Sequence, residues 1–195
     1  MKPKTRQQRF RELVSMWNQD LFAGVIESAK DYLRDFPNHD LVRLYYAIAL
    51  YELARYEEAK KNLWQLIKEC DPEHLPYLYS QMGHLHKKKG EFKKAADWYR
   101  KAVKIANREA GYLIFLGAVL ALDGKLSEAE ACHRQATKCK TGDFSEAYLN
   151  LGYVLRAREK YKQALSCFEK ALELDPKYKE AKQAIKDINK VFELK

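Results

Sequence analysis

A glycine recurs at a fixed period from residue 83 onwards, within segments whose other residues favour helix. Gly83, Gly117 and Gly152 are 34 and 35 residues apart. An aromatic residue or leucine lies four residues before each glycine, and alanines lie twelve and nineteen residues after it: Tyr79, Leu113, Tyr148; Ala95, Ala129, Ala164; Ala102, Ala136, Ala171. A glycine inside a helix costs roughly 1 kcal/mol relative to alanine. The repeated cost indicates that a neighbouring element needs the space, and we expect the paired alanine helix, with Ala164 opposite Gly152, to be that element.

The same frame extends towards the N-terminus with weaker matches. Ala47 stands in the glycine position of the preceding copy, with Tyr56 and Ala59 in the aromatic and alanine positions. Before it, two further apolar helical faces are spaced by three and four residues: Phe10, Leu13, Val14, Trp17; Phe22, Val25, Ala29, Tyr32. A fixed period of this length is typical of a stack of helix pairs, because one pair alone cannot bury both apolar stripes.

These residues resemble the tetratricopeptide repeat. The last copy matches that motif at nine positions: Tyr148, Leu151, Gly152, Leu155, Tyr161, Ala164, Phe168, Ala171, Pro176. The resemblance implies an all-α fold, a right-handed α-solenoid of antiparallel helix pairs with a C-terminal capping helix. Arg43, His133 and Thr141 depart from the motif in the other copies.

The resemblance divides the chain into seven parts. They are a basic N-terminal tail, a degenerate first repeat, four further repeats and a C-terminal solvating helix: 1–9; 10–39; 40–75, 76–109, 110–144, 145–178; 179–195. Gly90 and Gly124 fall between the two helices of their repeats and suit a left-handed helix C-cap.

Composition and signals favour a cytoplasmic protein. The chain has 195 residues, of which 47% are hydrophobic and 32% charged, which is sufficient for a folded core. Four cysteines, at positions 70, 132, 139 and 167, form no CxxC pair, which fits reduced thiols. The basic start has no apolar core after it, so no secretory signal peptide is predicted, and the apolar run at 110–122 is too short to span a bilayer.

Motifs for chemistry are missing from the sequence, so we expect a protein that is not an enzyme and holds no cofactor or metal. Six residues separate Gly117 from Gly124, whereas a phosphate-binding loop needs four. His84 and His86 are two residues apart on a predicted helix and point about 200° apart, so they cannot bind one metal ion together.

What is known of the family implies a binding groove lined by the first helix of each repeat. The predicted partner-binding residues are these: Tyr45, Ile48, Tyr51, Tyr77, His84, Lys87, Lys88, Ile114, Phe115, Ala118, Asn150, Tyr153, Arg156. Aromatic and aliphatic side chains with a cationic centre suit a protein segment with apolar anchors and acidic residues. The alternative is that Ile48, Ile114 and Phe115 belong to the core and that the lysines are only solvated.

Two other modes of binding are considered. Chaperone-binding relatives grip a C-terminal carboxylate with Lys and Asn in one repeat, Asn in the next, and Lys plus Arg in the third. The matching residues here are Ser80 and His84, then Phe115, then Glu146 and Asn150, so this clamp is not predicted. The alternative function is nucleic-acid or anionic-surface binding. Such binding would use the net charge of +9, the eight Lys/Arg residues within 86–104 and the basic tail. No nucleic-acid motif accompanies them. Self-association through the ends of the stack stays open.

Overall fold

The computed structural model describes residues 4–193, and within that range the regular structure is helical, with no strand. The prediction of an all-α fold of antiparallel helix pairs is confirmed. The chain forms two compact units, a first that ends at Glu91 and a second that begins at Phe92.

The first unit contains five α-helices and a short 3-10 helix between the fourth and fifth. They are α1 (Arg6–Trp17), α2 (Phe22–Asp35), α3 (Asp40–Glu52), α4 (Tyr56–Glu69), the 3-10 helix (Pro72–His74) and α5 (Leu75–Lys88). Each helix packs on the next one in the chain, and α3 also contacts α5. This is the packing that buries both stripes of every amphipathic helix.

The second unit continues the same arrangement with six helices. They are α6 (Phe92–Ile105), α7 (Ala110–Leu122), α8 (Leu126–Ala136), α9 (Phe144–Ala157), α10 (Tyr161–Leu174) and α11 (Lys179–Glu193). Consecutive helices pack together, and α7 also contacts α9. Ala181, Ala184 and Ile188 of α11 are buried against α10, so this last helix covers the end of the core.

The predicted basic tail at 1–9 needs a correction. Residues 1–3 lie outside the described range, and α1 begins at Arg6, so residues 6–9 are its first turn. The helix starts there because Thr5 and Gln8 form a capping box, in which the Thr5 hydroxyl accepts from the Gln8 amide and the Gln8 side chain accepts from the Thr5 amide.

A tight turn of the same type follows the first helix of every pair. Its central residue has a positive φ, and the five residues in this position are Asp20 (55°), Ala54 (59°), Gly90 (78°), Gly124 (77°) and Glu159 (60°). The next residue donates a backbone hydrogen bond to the carbonyl five residues earlier, as from Lys125 to Leu120 at 2.9 Å. The left-handed caps predicted at Gly90 and Gly124 are confirmed, and the same backbone forms at three positions where the residue is not glycine.

The helical glycines make room for a ring on the second helix of their pair. A Cβ atom added at Gly152 would lie 2.4 to 2.9 Å from three ring atoms of Phe168, and one added at Gly117 would lie 2.6 to 2.9 Å from the ring of His133. The expectation that the paired helix needs this space is confirmed, but the three atoms nearest to that Cβ belong to Phe168 rather than to Ala164. The ring one turn further along α10 fills that space.

Arg43, which departs from the repeat motif, is buried with 8% of its surface exposed. Its guanidinium donates hydrogen bonds to the Gln65 side chain and to the Pro37 carbonyl. Its Nε is buried without a hydrogen-bond partner, so the two Nη groups alone make the contacts that join α3 to α4 and to the turn before α3.

Candidate functional site

A pocket in the first unit gathers six of the predicted partner-binding residues. Its volume is about 420 Å³, and we call it the groove pocket. Its lining comes from α1, α3 and α5: Trp17, Ile48, Tyr51, Glu52, Tyr77, Gln81, His84, Lys87, Lys88.

The aromatic residues of the groove pocket differ in how much surface they leave open. Tyr77 is 45% exposed, whereas Tyr51 is 5% exposed and its hydroxyl donates to Gln81 Oε1 at 2.8 Å. Trp17 stacks on Tyr45, with ring centroids 4.6 Å apart and planes inclined by 23°. Tyr45 thus supports the wall of the pocket through Trp17, and Tyr77 supplies the accessible apolar surface.

Positive charge lies at the α5 side of the groove pocket. Lys88 Nζ is 2.6 Å from Glu52 Oε2, while Lys87 makes no ion pair with any residue in the described range. Burial, together with the charges of Lys87 and Lys88, lowers the pKa of His84 to about 4. His84 is therefore neutral at pH 7, and the two lysines give the pocket its cationic character.

A pocket of the second unit gathers three more of the predicted residues. We call it the alanine pocket; its volume is about 370 Å³, and it is lined as follows: Ala118, Ala121, Leu122, Leu126, His133, Asn150, Tyr153, Val154, Ala157. The Arg156 guanidinium lies 5.1 Å from the centre of the Tyr153 ring, within the range of a cation–π contact. Tyr153 also contacts Phe168 edge to face, at 5.2 Å.

Two predicted groove residues are placed differently by the structure. Ile114 is 2% exposed and packs in a core cluster with Leu113 and Ala136, so a partner cannot reach it, and its prediction as a binding residue was wrong. Phe115 is half-buried against Tyr99, with ring centroids 5.8 Å apart. Both lie on α7, which is apolar all round, so its sequence pattern does not distinguish the core face from the open face.

Besides Glu52 and Gln81, the groove-pocket residue that is not among the predicted ones is Trp17. It belongs to an apolar face of α1, but the first copy is shorter than the others, so the register of its residues does not follow from the repeat. The structure brings Trp17 to the pocket because α1 ends there, next to Tyr45 of α3.

Several cations of the basic run at 86–104 are already paired with acidic residues. Lys89 Nζ is 3.1 Å from Glu57 Oε1, and Arg100 Nη2 is 3.2 Å from Glu128 Oε2. Lys101 Nζ lies 3.8 Å from the centre of the Trp98 ring. These contacts leave fewer free charges for phosphate groups than the sequence suggests.

Residues 4–193 contain neither a cluster of metal-binding side chains nor a helix that could span a membrane. No group of three or more His, Cys, Asp or Glu side chains in that part of the chain is arranged to hold a metal ion. Every helix there lacks the length or the apolar character that crossing a bilayer would require.

Comparisons with known proteins identify the repeat. Two family models, both described as tetratricopeptide repeat, match residues 76–109 and 145–178. The chain is 28% identical to human Protein O-mannosyl-transferase TMTC1 over 138 residues, which is 71% of this chain and 15% of that protein. It therefore spans a small part of that relative's length.

Solved structures show the same fold. TTC0263, a thermophilic tetratricopeptide-repeat protein of Thermus thermophilus, is similar with a TM-score of 0.71 and 19% identity, covering 94% of this chain and 98% of that one. The first tetratricopeptide-repeat domain of Spaghetti (RPAP3), bound to the HSP90 peptide SRMEEVD, has a TM-score of 0.57 and 21% identity, covering 61% of this chain and 94% of that one.

Proposed function

Since this chain is a tetratricopeptide-repeat protein, we propose that it is a non-catalytic adaptor that binds a segment of another protein. In this proposal each unit has its own candidate binding surface, the groove pocket in the first and the alanine pocket in the second. The division into five repeats, with the bounds predicted from the sequence, is part of the same proposal.

The groove pocket is the observation that carries the proposal. It combines an exposed aromatic ring, Tyr77, with apolar walls and with Lys87, a cation that has no ion-pair partner in the described range. Aromatic residues within a concave site are frequent centres of binding energy in protein interfaces. An unpaired lysine beside them favours a partner that brings a carboxylate.

The partner that fits is therefore a segment with apolar anchor residues and acidic residues. An apolar side chain would pack on Tyr77, and an acidic one would approach Lys87. In the alanine pocket, the small side chains of Ala118, Ala121 and Ala157 leave room for an apolar side chain, with Asn150 and Tyr153 as polar contacts.

The proposal of a non-catalytic role rests on this chain's own residues. The similarity to a human mannosyl-transferase covers 15% of that protein, and residues 76–109 and 145–178 of this chain match repeat models. We place the adaptor in the cytoplasm because its four cysteines, Cys70, Cys132, Cys139 and Cys167, are all free.

Charge reversal tests the proposal. We expect Lys87→Glu/Lys88→Glu/Arg156→Glu to reduce partner capture at least about tenfold in a crosslinking pull-down, because opposite charges would become like charges. Helical circular dichroism is expected to stay unchanged, since these side chains lie at the surface of their helices.

The matched control reverses three exposed lysines that line neither pocket, Lys93, Lys104 and Lys162. This variant has the same net charge as the first and should capture the partner normally. Equal capture by the two variants would reject the assignment of the binding surface.

A further inference from the structure

A second pocket of the first unit has the opposite charge to the groove pocket. We call it the acidic pocket; its volume is about 370 Å³, and it lies where α3 and α5 begin and α4 ends. Its lining residues are Asp40, Leu41, Leu44, Leu66, Glu69, Cys70, Asp71, His74, Tyr77 and Leu78.

The floor of the acidic pocket is apolar. Leu66 and Leu78 are almost fully buried, and Leu44 is half-buried beside them. At the mouth, Leu41 is 42% exposed and Tyr77 is 45% exposed. Two large apolar side chains thus remain open to solvent next to an apolar cavity, and an apolar group placed there would cover both.

The carboxylates around this pocket lack ion-pair partners, although the chain as a whole is basic. Of the carboxylates described in the first unit, four form no ion pair with another described residue: Asp20, Asp40, Glu69 and Asp71. Three of these four line the acidic pocket. The one basic side chain in its lining, His74, is exposed and lies 3.7 Å from Glu73.

The unpaired charges produce a negative potential at the pocket. The pKa of the Cys70 thiol is raised, first by burial and then by the carboxylates of Asp71 and Asp40. Glu69 is the last residue of α4, where the helix dipole already disfavours a negative charge. A cation at this place would be attracted by the unpaired carboxylates.

We propose that the acidic pocket is a second docking site, which binds a partner segment where an apolar side chain neighbours lysine or arginine. The apolar side chain would fill the cavity over Leu44, Leu66 and Leu78, and the cation would approach Asp40 and Asp71. The inference goes beyond the groove proposal, because it assigns a different surface and a partner group of opposite charge. Tyr77 lines both pockets, so the two sites adjoin on α5.

Labelled peptides of defined sequence test whether a cation of the partner segment binds at Asp40 and Asp71. The probe is a fluorescent peptide with two leucines followed by three arginines, titrated at low ionic strength and followed by fluorescence anisotropy. We expect Asp40→Asn/Asp71→Asn to bind it about tenfold more weakly than the unmodified protein, since two exposed charge interactions are lost. The control Asp20→Asn/Glu159→Gln removes two unpaired carboxylates outside the pocket and should leave the affinity unchanged.

The apolar part is tested with Leu41→Ser and with a second peptide in which serines replace the leucines. Both changes should weaken binding, because each removes an apolar surface from the contact. Equal binding of the serine peptide, or equal loss in the control variant, would overturn the proposal.

Two further measurements separate this site from its alternatives. Lys87→Glu/Lys88→Glu should not weaken binding of the arginine peptide, because the added negative charges attract it, so failure of the groove proposal and failure of this one are distinguishable. Sedimentation should show no self-association. If the unmodified protein self-associates and Asp40→Asn/Asp71→Asn does not, the pocket holds a second copy and the proposal is overturned.

Discussion

The helix pairs α7–α8 and α9–α10 bury a ring against a glycine at the same position of the repeat, but the rings differ. His133 faces Gly117 in the first pair, and Phe168 faces Gly152 in the second. Both rings are almost completely buried, with 1% and 0% of their surface exposed. The backbone therefore accommodates either ring, and the shape of the side chain is what this position of the repeat requires.

The two helix pairs differ in the polarity of this buried ring. Nδ1 of His133 is buried without a hydrogen-bond partner, and desolvation lowers the pKa of the ring to about 4. A neutral histidine thus fills a site that suits phenylalanine, at the cost of an unsatisfied polar atom. The pair α7–α8 should accordingly be sensitive to pH in a way that α9–α10 is not.

The largest predicted effect is a loss of folding stability on acidification. In the unfolded chain His133 has an ordinary pKa near 6.5 and takes up a proton below it, whereas the folded chain resists protonation until about pH 4. The stability from the neutral ring is therefore present above pH 6.5 and is lost as the pH falls towards 4. Between pH 7 and pH 5, the free energy of unfolding should fall by about 2 kcal/mol from this residue.

The matched variant is His133→Phe, which gives α7–α8 the ring that α9–α10 already has. Urea unfolding at pH 7 and pH 5 should show a loss about 2 kcal/mol smaller in the variant than in the unmodified protein. His84, whose pKa is also lowered, titrates in both proteins and cancels from this difference. Identical pH dependence in the two proteins would show that His133 is not protected as described.

A smaller effect is expected from filling the space beside the ring. An added Cβ at Gly117 would lie 2.6 Å from two atoms of the His133 ring. Gly117→Ala should therefore lower the free energy of unfolding by about 1 kcal/mol, because overpacking outweighs the gain in helix propensity.

Gly111, on the same helix, is the control for this substitution. The nearest atom to a Cβ there is 3.8 Å away, so Gly111→Ala should raise stability slightly. Thermal unfolding of the two variants at pH 7 distinguishes them by the sign of the change. Two changes of the same sign would contradict the packing assigned to Gly117.

The sequence predicted the helix pairs because their apolar residues recur at one period, and it predicted the caps at Gly90 and Gly124 because glycine marks a positive φ. The equivalent turns at Ala54 and Glu159 carry no such mark. At Ala54 and Glu159 the packing of the helix pair imposes a strained backbone, which the conformational preferences of these residues do not predict.

The sites were predicted less completely than the fold. Ile114 was misplaced because α7 is apolar on every face. The acidic pocket was not anticipated, since Asp40 begins α3 whereas Glu69 and Asp71 lie at the end of α4 and in the turn after it, and the net charge of +9 points to the opposite sign. Only the packing of α3, α4 and α5 brings these carboxylates together around an apolar cavity.

The most direct test of the central claim, that a partner segment binds at the groove pocket, is site-specific photo-crosslinking. A benzophenone amino acid would replace Tyr77, and in a separate protein Trp64, which is 39% exposed on α4 and lines neither pocket of the first unit. We predict that position 77 crosslinks a partner segment containing apolar and acidic residues, and that Lys87→Glu/Lys88→Glu removes this crosslink. Crosslinking of the same segment with equal yield from position 64 would contradict the account.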